Sequence, residues 1–112
     1  MAGTADHPIT ITPHAGRVRI SRDGRTVVDT ERALDLKEAT YPSVLYVPRA
    51  DADMRLLTPN PKSTHCPYKG DASYFDLDGA PGAVWSYETP RDDVGEIAEY
   101  LAFYPDKVEI EG

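Results

Sequence analysis

The stretch Thr64-His65-Cys66-Pro67-Tyr68-Lys69-Gly70 sets the one cysteine of the chain next to a histidine and three residues from a lysine. A thiolate becomes a useful nucleophile when a nearby cation or imidazole stabilises it, so Cys66, His65 and Lys69 form a candidate catalytic set. Strand geometry argues against the simplest version. On an extended backbone Thr64, Cys66 and Tyr68 point to one face, and His65 and Lys69 to the other. Only a bend at Pro67 or Gly70 would bring the lysine round to the sulfur. The competing reading is a packed, inert cysteine, since a free thiol behaves as a small hydrophobe. Gly70 itself suits a positive-φ turn or a close backbone approach to a ligand.

Other chemistry has thinner support. Asp51/Asp53 and Asp76/Asp78 are Asp-x-Asp pairs of a kind that could hold Mg²⁺ on a strand. The first pair sits where a helical turn would start, however, and the second leads into the turn Asp78-Gly79-Ala80-Pro81-Gly82. No Gly-x-x-x-x-Gly-Lys phosphate loop accompanies either. His7, His14, His65 and Cys66 lack the paired spacing of a zinc site, so no metal and no cofactor is expected. In Ala83-Val84-Trp85-Ser86-Tyr87-Glu88, Trp85 and Tyr87 share one strand face. With Tyr46 and Tyr74 they could wall a small-molecule site, or equally fill a core.

The elements that would position these residues read as short strands. Arg17 to Ser21 and Thr26 to Asp29 alternate on either side of Asp23-Gly24, which is the pattern of a β-hairpin. Ile9 to Thr12 reads as an edge strand between prolines, and Val44 to Val47 as a buried one. Residues 30–40 allow either a capped helical turn or a strand through Leu34 and Leu36. Ala50 to Leu57 suggests one or two helical turns, stopped by Pro59-Asn60-Pro61. Thr64 to Tyr68 and Ser73 to Leu77 form a second strand pair. Val94 to Tyr100 has the apolar spacing of a short helix, and Leu101 to Tyr104 with Val108 to Ile110 would close the chain as paired strands. Ten prolines and eight glycines spread along the sequence exclude a helical bundle. The expected fold is mainly β, with small curved antiparallel sheets and one or two short helices.

Size and charge bound the rest. A chain of 112 residues makes one domain. It buries roughly two-thirds of its unfolded surface, enough to fold without staples. Residues 1–7 are expected to be disordered and 8–112 to form the single β-rich domain. Nineteen acidic residues against twelve basic ones give a net charge of −7, which opposes binding to nucleic-acid phosphates. No apolar run is long enough for a membrane span. Met1 to His7 lack a signal-peptide pattern, and one cysteine cannot make an internal disulfide. A cytoplasmic setting follows as the default.

The chain resembles the domain-of-unknown-function family four-two-seven, a family of small bacterial and fungal proteins with a nucleotidyltransferase-like label. The resemblance covers His7 to Ile110. It runs through His7-Pro8-Ile9, Arg17-Val18-Arg19, Tyr46-Val47-Pro48-Arg49, Thr64 to Gly70, Ala72-Ser73-Tyr74, Trp85-Ser86-Tyr87 and Ala102-Phe103-Tyr104. It implies a compact antiparallel β fold with little helix. The label would imply metal-bound carboxylates, yet the Gly-Ser plus spaced Asp pattern of nucleotidyltransferases is missing here.

Three functions remain open on this reading. The first is a groove binding a small anionic or carbonyl-bearing molecule between Arg49, His65 and Lys69, walled by Tyr46, Tyr74, Trp85 and Tyr87 with Gly70 at its turn. The second is an enzyme using Cys66. The third is a homodimeric interaction protein.

Overall fold

The computed structural model describes residues 2–112, and the molecule is built almost wholly of antiparallel strands. In chain order these are β1 (Ala2–Thr4), β2 (His7–Pro13), β3 (Val18–Arg22), β4 (Arg25–Thr30), β5 (Leu34–Glu38), β6 (Val44–Tyr46), β7 (Leu57–Cys66), β8 (Gly70–Leu77), β9 (Ala80–Ser86), β10 (Leu101–Phe103) and β11 (Glu109–Glu111). They form sheets of order β1-β2-β5-β6, β10-β9-β8-β7 and β11-β3-β4. Helix is confined to 3-10 turns at Arg49–Asp51, Met54–Leu56 and Asp92–Ile97.

The first and second sheets are stitched together where Val47 and Leu101 exchange both backbone hydrogen bonds, at 2.9 and 2.8 Å. The second sheet is therefore covered on both faces. One face packs Ala72, Tyr74, Tyr87 and Ala102 against Ile9, Leu36 and Tyr46 of the first sheet. The other packs Phe75, Leu77, Val84 and Phe103 against Val18, Ile20 and Val28 of the third. A strand buried on both faces loses its polar alternation, which is why Leu101, Ala102 and Phe103 are consecutive and all buried.

The hairpin expected around Asp23-Gly24 is β3–β4, and both turn residues have positive φ, 50° and 78°. Those angles are what a two-residue turn joining right-twisted strands requires. Residues 34–38 resolve as strand: β5 pairs with β2 on one side and β6 on the other.

Several local expectations are corrected. Pro59-Asn60-Pro61 does not stop the chain but lies inside β7, with a bulge between Asn60 and Ser63. Prolines are tolerated there because β7 is an edge strand, where a missing N–H removes no ladder bond. The segment after Arg91 is a 3-10 turn kinked at Val94, not a regular helix. The two last strands do not pair with each other; β10 joins β9 and β11 joins β3. At the other end, Ala2–Thr4 lies antiparallel to His7–Ile9.

Candidate functional site

The turn Cys66–Gly70 does bend, and it delivers Lys69 to a carboxylate that the spacing did not single out. The Lys69 N–H bonds the Cys66 carbonyl at 3.2 Å, and Gly70 holds φ at 115°. The lysine side chain then runs under the first sheet. Its ammonium donates to Glu38 Oε1 and lies 5.7 Å from the centre of the Tyr87 ring. The other Glu38 oxygen meets His7 Nε2 at 2.7 Å, and the His7 ring stacks on Tyr68 with centroids 3.8 Å apart. Lys69 and Glu38 are 11% and 14% exposed, so this ion pair is largely withdrawn from water. Burial pushes the Glu38 carboxyl up, but the bonds from Lys69 and His7 outweigh it and leave the group below its ordinary value of 4.5.

Glu38 is part of the lining of a cleft of about 610 Å³. The rest of the lining comes from the loop Tyr41–Leu45, from Trp85 and Phe103 of the second sheet, and from Ile20, Pro105 and Ile110. Glu38 and Ser43 are the non-aromatic polar side chains on this lining. The loop is fixed by the Tyr41 N–H bonding the Glu38 carbonyl at 2.9 Å and by Lys37 donating to the Tyr41 carbonyl. Trp85 is fixed by its indole N–H donating to Tyr46 Oη at 3.3 Å and by Tyr104, whose ring centre lies 4.6 Å away.

Of the residues singled out from sequence, Tyr46, Tyr74, Trp85, Tyr87, Cys66 and Lys69 gather on the first-sheet side of β8–β9. Only Trp85 among them lines the cleft. Tyr46, Tyr74 and Tyr87 are buried core. Burial drives the Tyr46 and Tyr87 phenols well above their ordinary range, so both stay neutral. Cys66 is a half-buried free thiol in the same cluster.

The rest lie elsewhere. His65 points outward, 68% exposed, with Nδ1 2.7 Å from Asp71. Arg49 is on the opposite face of the second sheet: it donates to Ser86 Oγ at 3.0 Å and the Glu99 carbonyl at 3.1 Å, pairs with Glu88, and lies over Phe75. Gly70 faces the backbone of Thr89–Arg91 at 3.5–3.6 Å from where a Cβ would stand, and its φ of 115° makes it serve the turn.

Sequence reasoning missed Glu38, though a signal was there. Leu34 and Leu36 define an inward face with a period of two, and the next inward position is 38. A carboxylate where an apolar residue is due marks a buried partner.

The Asp pairs do not fit a shared metal. Asp51 is bound by Thr30 and Arg32, Asp53 by Arg55, and Asp76 by Asn60 and the Gly82 N–H. Among the described residues no three His, Cys, Asp or Glu side chains come together as a metal site, and no helix is long and apolar enough to cross a membrane.

Fold and site together define a small antiparallel β protein with a mostly apolar cleft whose lining includes Glu38, a largely buried carboxylate paired with Lys69. A family model described as Domain of unknown function (DUF427) matches residues 10–112, and the chain belongs to that family. His7 lies just ahead of the matched segment. A search of curated proteins finds no match.

Proposed function

We propose that this protein is a small-molecule binding module whose site is the cleft between the Tyr41–Leu45 loop and Trp85. One observation carries the reading: a mostly apolar cleft of about 610 Å³ has Glu38, a largely buried carboxylate, in its lining. That volume lies within the roughly 300–1,000 Å³ of small-ligand pockets, which combine apolar walls with a few fixed polar groups. The aromatic lining is Trp85, Tyr41 and Phe103. An anionic ligand would need Arg49 and Lys69 acting together, and they stand on opposite sides of the second sheet, each already paired. A Cys66 nucleophile draws no support either, because its candidate helpers are engaged with Asp71 and Glu38.

A thermal-shift screen of apolar and aromatic fragments tests the proposal. A ligand at a hundred times its Kd should add about 2.7 kcal/mol, several degrees in Tm for a domain of this size. Tyr41→Ala, at an exposed position, should lower hit affinities several-fold without unfolding the protein. A broad panel with no response would contradict the reading.

A second reading has its own observation. Tyr41, Ile110 and Tyr104, at 61%, 38% and 38% exposure, are the large exposed apolar residues among those described. Tyr41 and Ile110 line the cleft, and Tyr104 packs on Trp85. Such a rim suits a second copy of the chain. Light scattering at micromolar concentration would then give a dimer mass that returns to monomer with Tyr41→Ser/Ile110→Ser.

A further inference from the structure

We infer that the cleft selects a ligand whose polar head is uncharged and carries both a hydrogen-bond donor and an acceptor, as in a primary carboxamide, lactam or imide. This rests on the cleft being a ligand site, and it goes further by naming the head group.

The charge of Glu38 is already balanced. Glu38 takes the Lys69 ammonium on one oxygen and His7 Nε2 on the other. What the cleft meets at Glu38 is therefore a carboxylate already countered by Lys69 outside the lining, not a free charge. A ligand carboxylate would lie against Glu38 and repel it. A ligand ammonium would set two cations against one carboxylate, with the Lys69 ammonium largely buried. Either choice buries a charge without its own counter-charge, which is the costly arrangement.

Hydrogen-bonding capacity, in contrast, is still available. An ionised carboxylate has about four acceptor positions, and two donors reach Glu38 from the protein side. Ser43, the other non-aromatic polar side chain on the lining, brings a hydroxyl that can donate. Glu38 as acceptor and Ser43 as donor, on a lining whose other polar side-chain groups are the Tyr41 hydroxyl and the indole N–H of Trp85, suit a head that offers both an N–H and a C=O. The indole N–H of Trp85 is not part of this pair, since Tyr46 holds it.

The experiment compares three molecules with one body: naphthaleneacetamide, naphthaleneacetate and naphthylethylamine. Each is titrated into the ¹⁵N-labelled full chain while the side-chain N–H resonance of Trp85, the single tryptophan, is followed. The amide should bind at least about tenfold tighter than either charged analogue, the scale of one hydrogen bond to a charged group. Its advantage should shrink in Ser43→Ala, at an exposed loop position, and in Glu38→Gln. A carboxylate or amine that binds as tightly as the amide overturns the head-group inference and leaves the binding site standing. So does silence from all three while other fragments shift Trp85. Silence from these three and from every fragment removes the site itself.

Discussion

Glu38 and Lys69 are the residues on which the site turns. Their pairing is a property of position: an inward carboxylate at the end of β5 faces a lysine swung round by the Cys66–Gly70 turn. Removing one partner leaves the other charge largely buried and uncompensated. Glu38→Ala and Lys69→Met should each cost on the order of 3 kcal/mol in urea unfolding. The double variant should cost clearly less than the sum, because the residual charge is gone. Additive losses would mean that the pair does not act as a unit. The sign of the acid response follows as well. The folded Glu38 titrates below 4.5, so its contribution is complete above that value and fades as pH falls through the folded one. Sequence made Lys69 visible through its neighbours Cys66 and Gly70. It left Glu38 hidden because its partners, Lys69 and His7, are each thirty-one residues away along the chain.

At the level of elements, what was legible is what local chemistry dictates. The β3–β4 hairpin follows from Asp-Gly between alternating runs, and the β8–β9 turn at Asp78-Gly79 repeats the same pair of positive φ values, 36° and 86°. The path of β7 through two prolines was not legible, because edge position depends on which strand pairs with which. The helix read at Val94–Tyr100 failed for a related reason: Val94 and Ile97 are buried by a kinked 3-10 turn lying on the first-sheet side of the core. Gly70 offers a direct check on the turn. At φ 115° any side chain is strained, so Gly70→Ala should lose about 1–3 kcal/mol in chemical denaturation and move the Lys69 resonances. An unchanged midpoint would show that the turn relaxes freely. The end of β2 carries a second device. His14 Nδ1 lies 2.9 Å from Asp35 and Nε2 3.0 Å from the Gly112 carbonyl. The Asp35 bond, opposed by some burial and helped by Gly112, raises its pKa above 6.5. A raised value means that this tie is complete below about pH 6 and weakens as pH climbs through the folded pKa. His14→Gln should flatten that part of the stability profile. A slope identical to wild type would exclude His14 as its source.

On the scale of the whole molecule, three small sheets are arranged so that the middle one is covered on both faces, and the cleft opens where the first and second sheets meet near β6 and β10. The mainly β class followed from the scatter of prolines, glycines and alternating runs. The gathering of aromatics also followed, but their division of labour did not. Tyr46, Tyr74 and Tyr87 went to the core, while Tyr41 and Pro105, which carry no motif, went to the lining. A strand pattern gives the face on which a side chain sits. Whether that face meets another sheet or an open cleft is decided by the packing of distant strands.

The central claim is that the cleft beside Trp85 and Glu38 is where this protein binds its ligand. Its most direct test is a two-dimensional NMR map of backbone and indole N–H shifts across a fragment library. The account predicts that hits converge on Trp85, Tyr41–Leu45 and Phe103, with Glu38 moving alongside them. Hits scattered over the outer strands, or centred on Arg49 across the sheet, would contradict it.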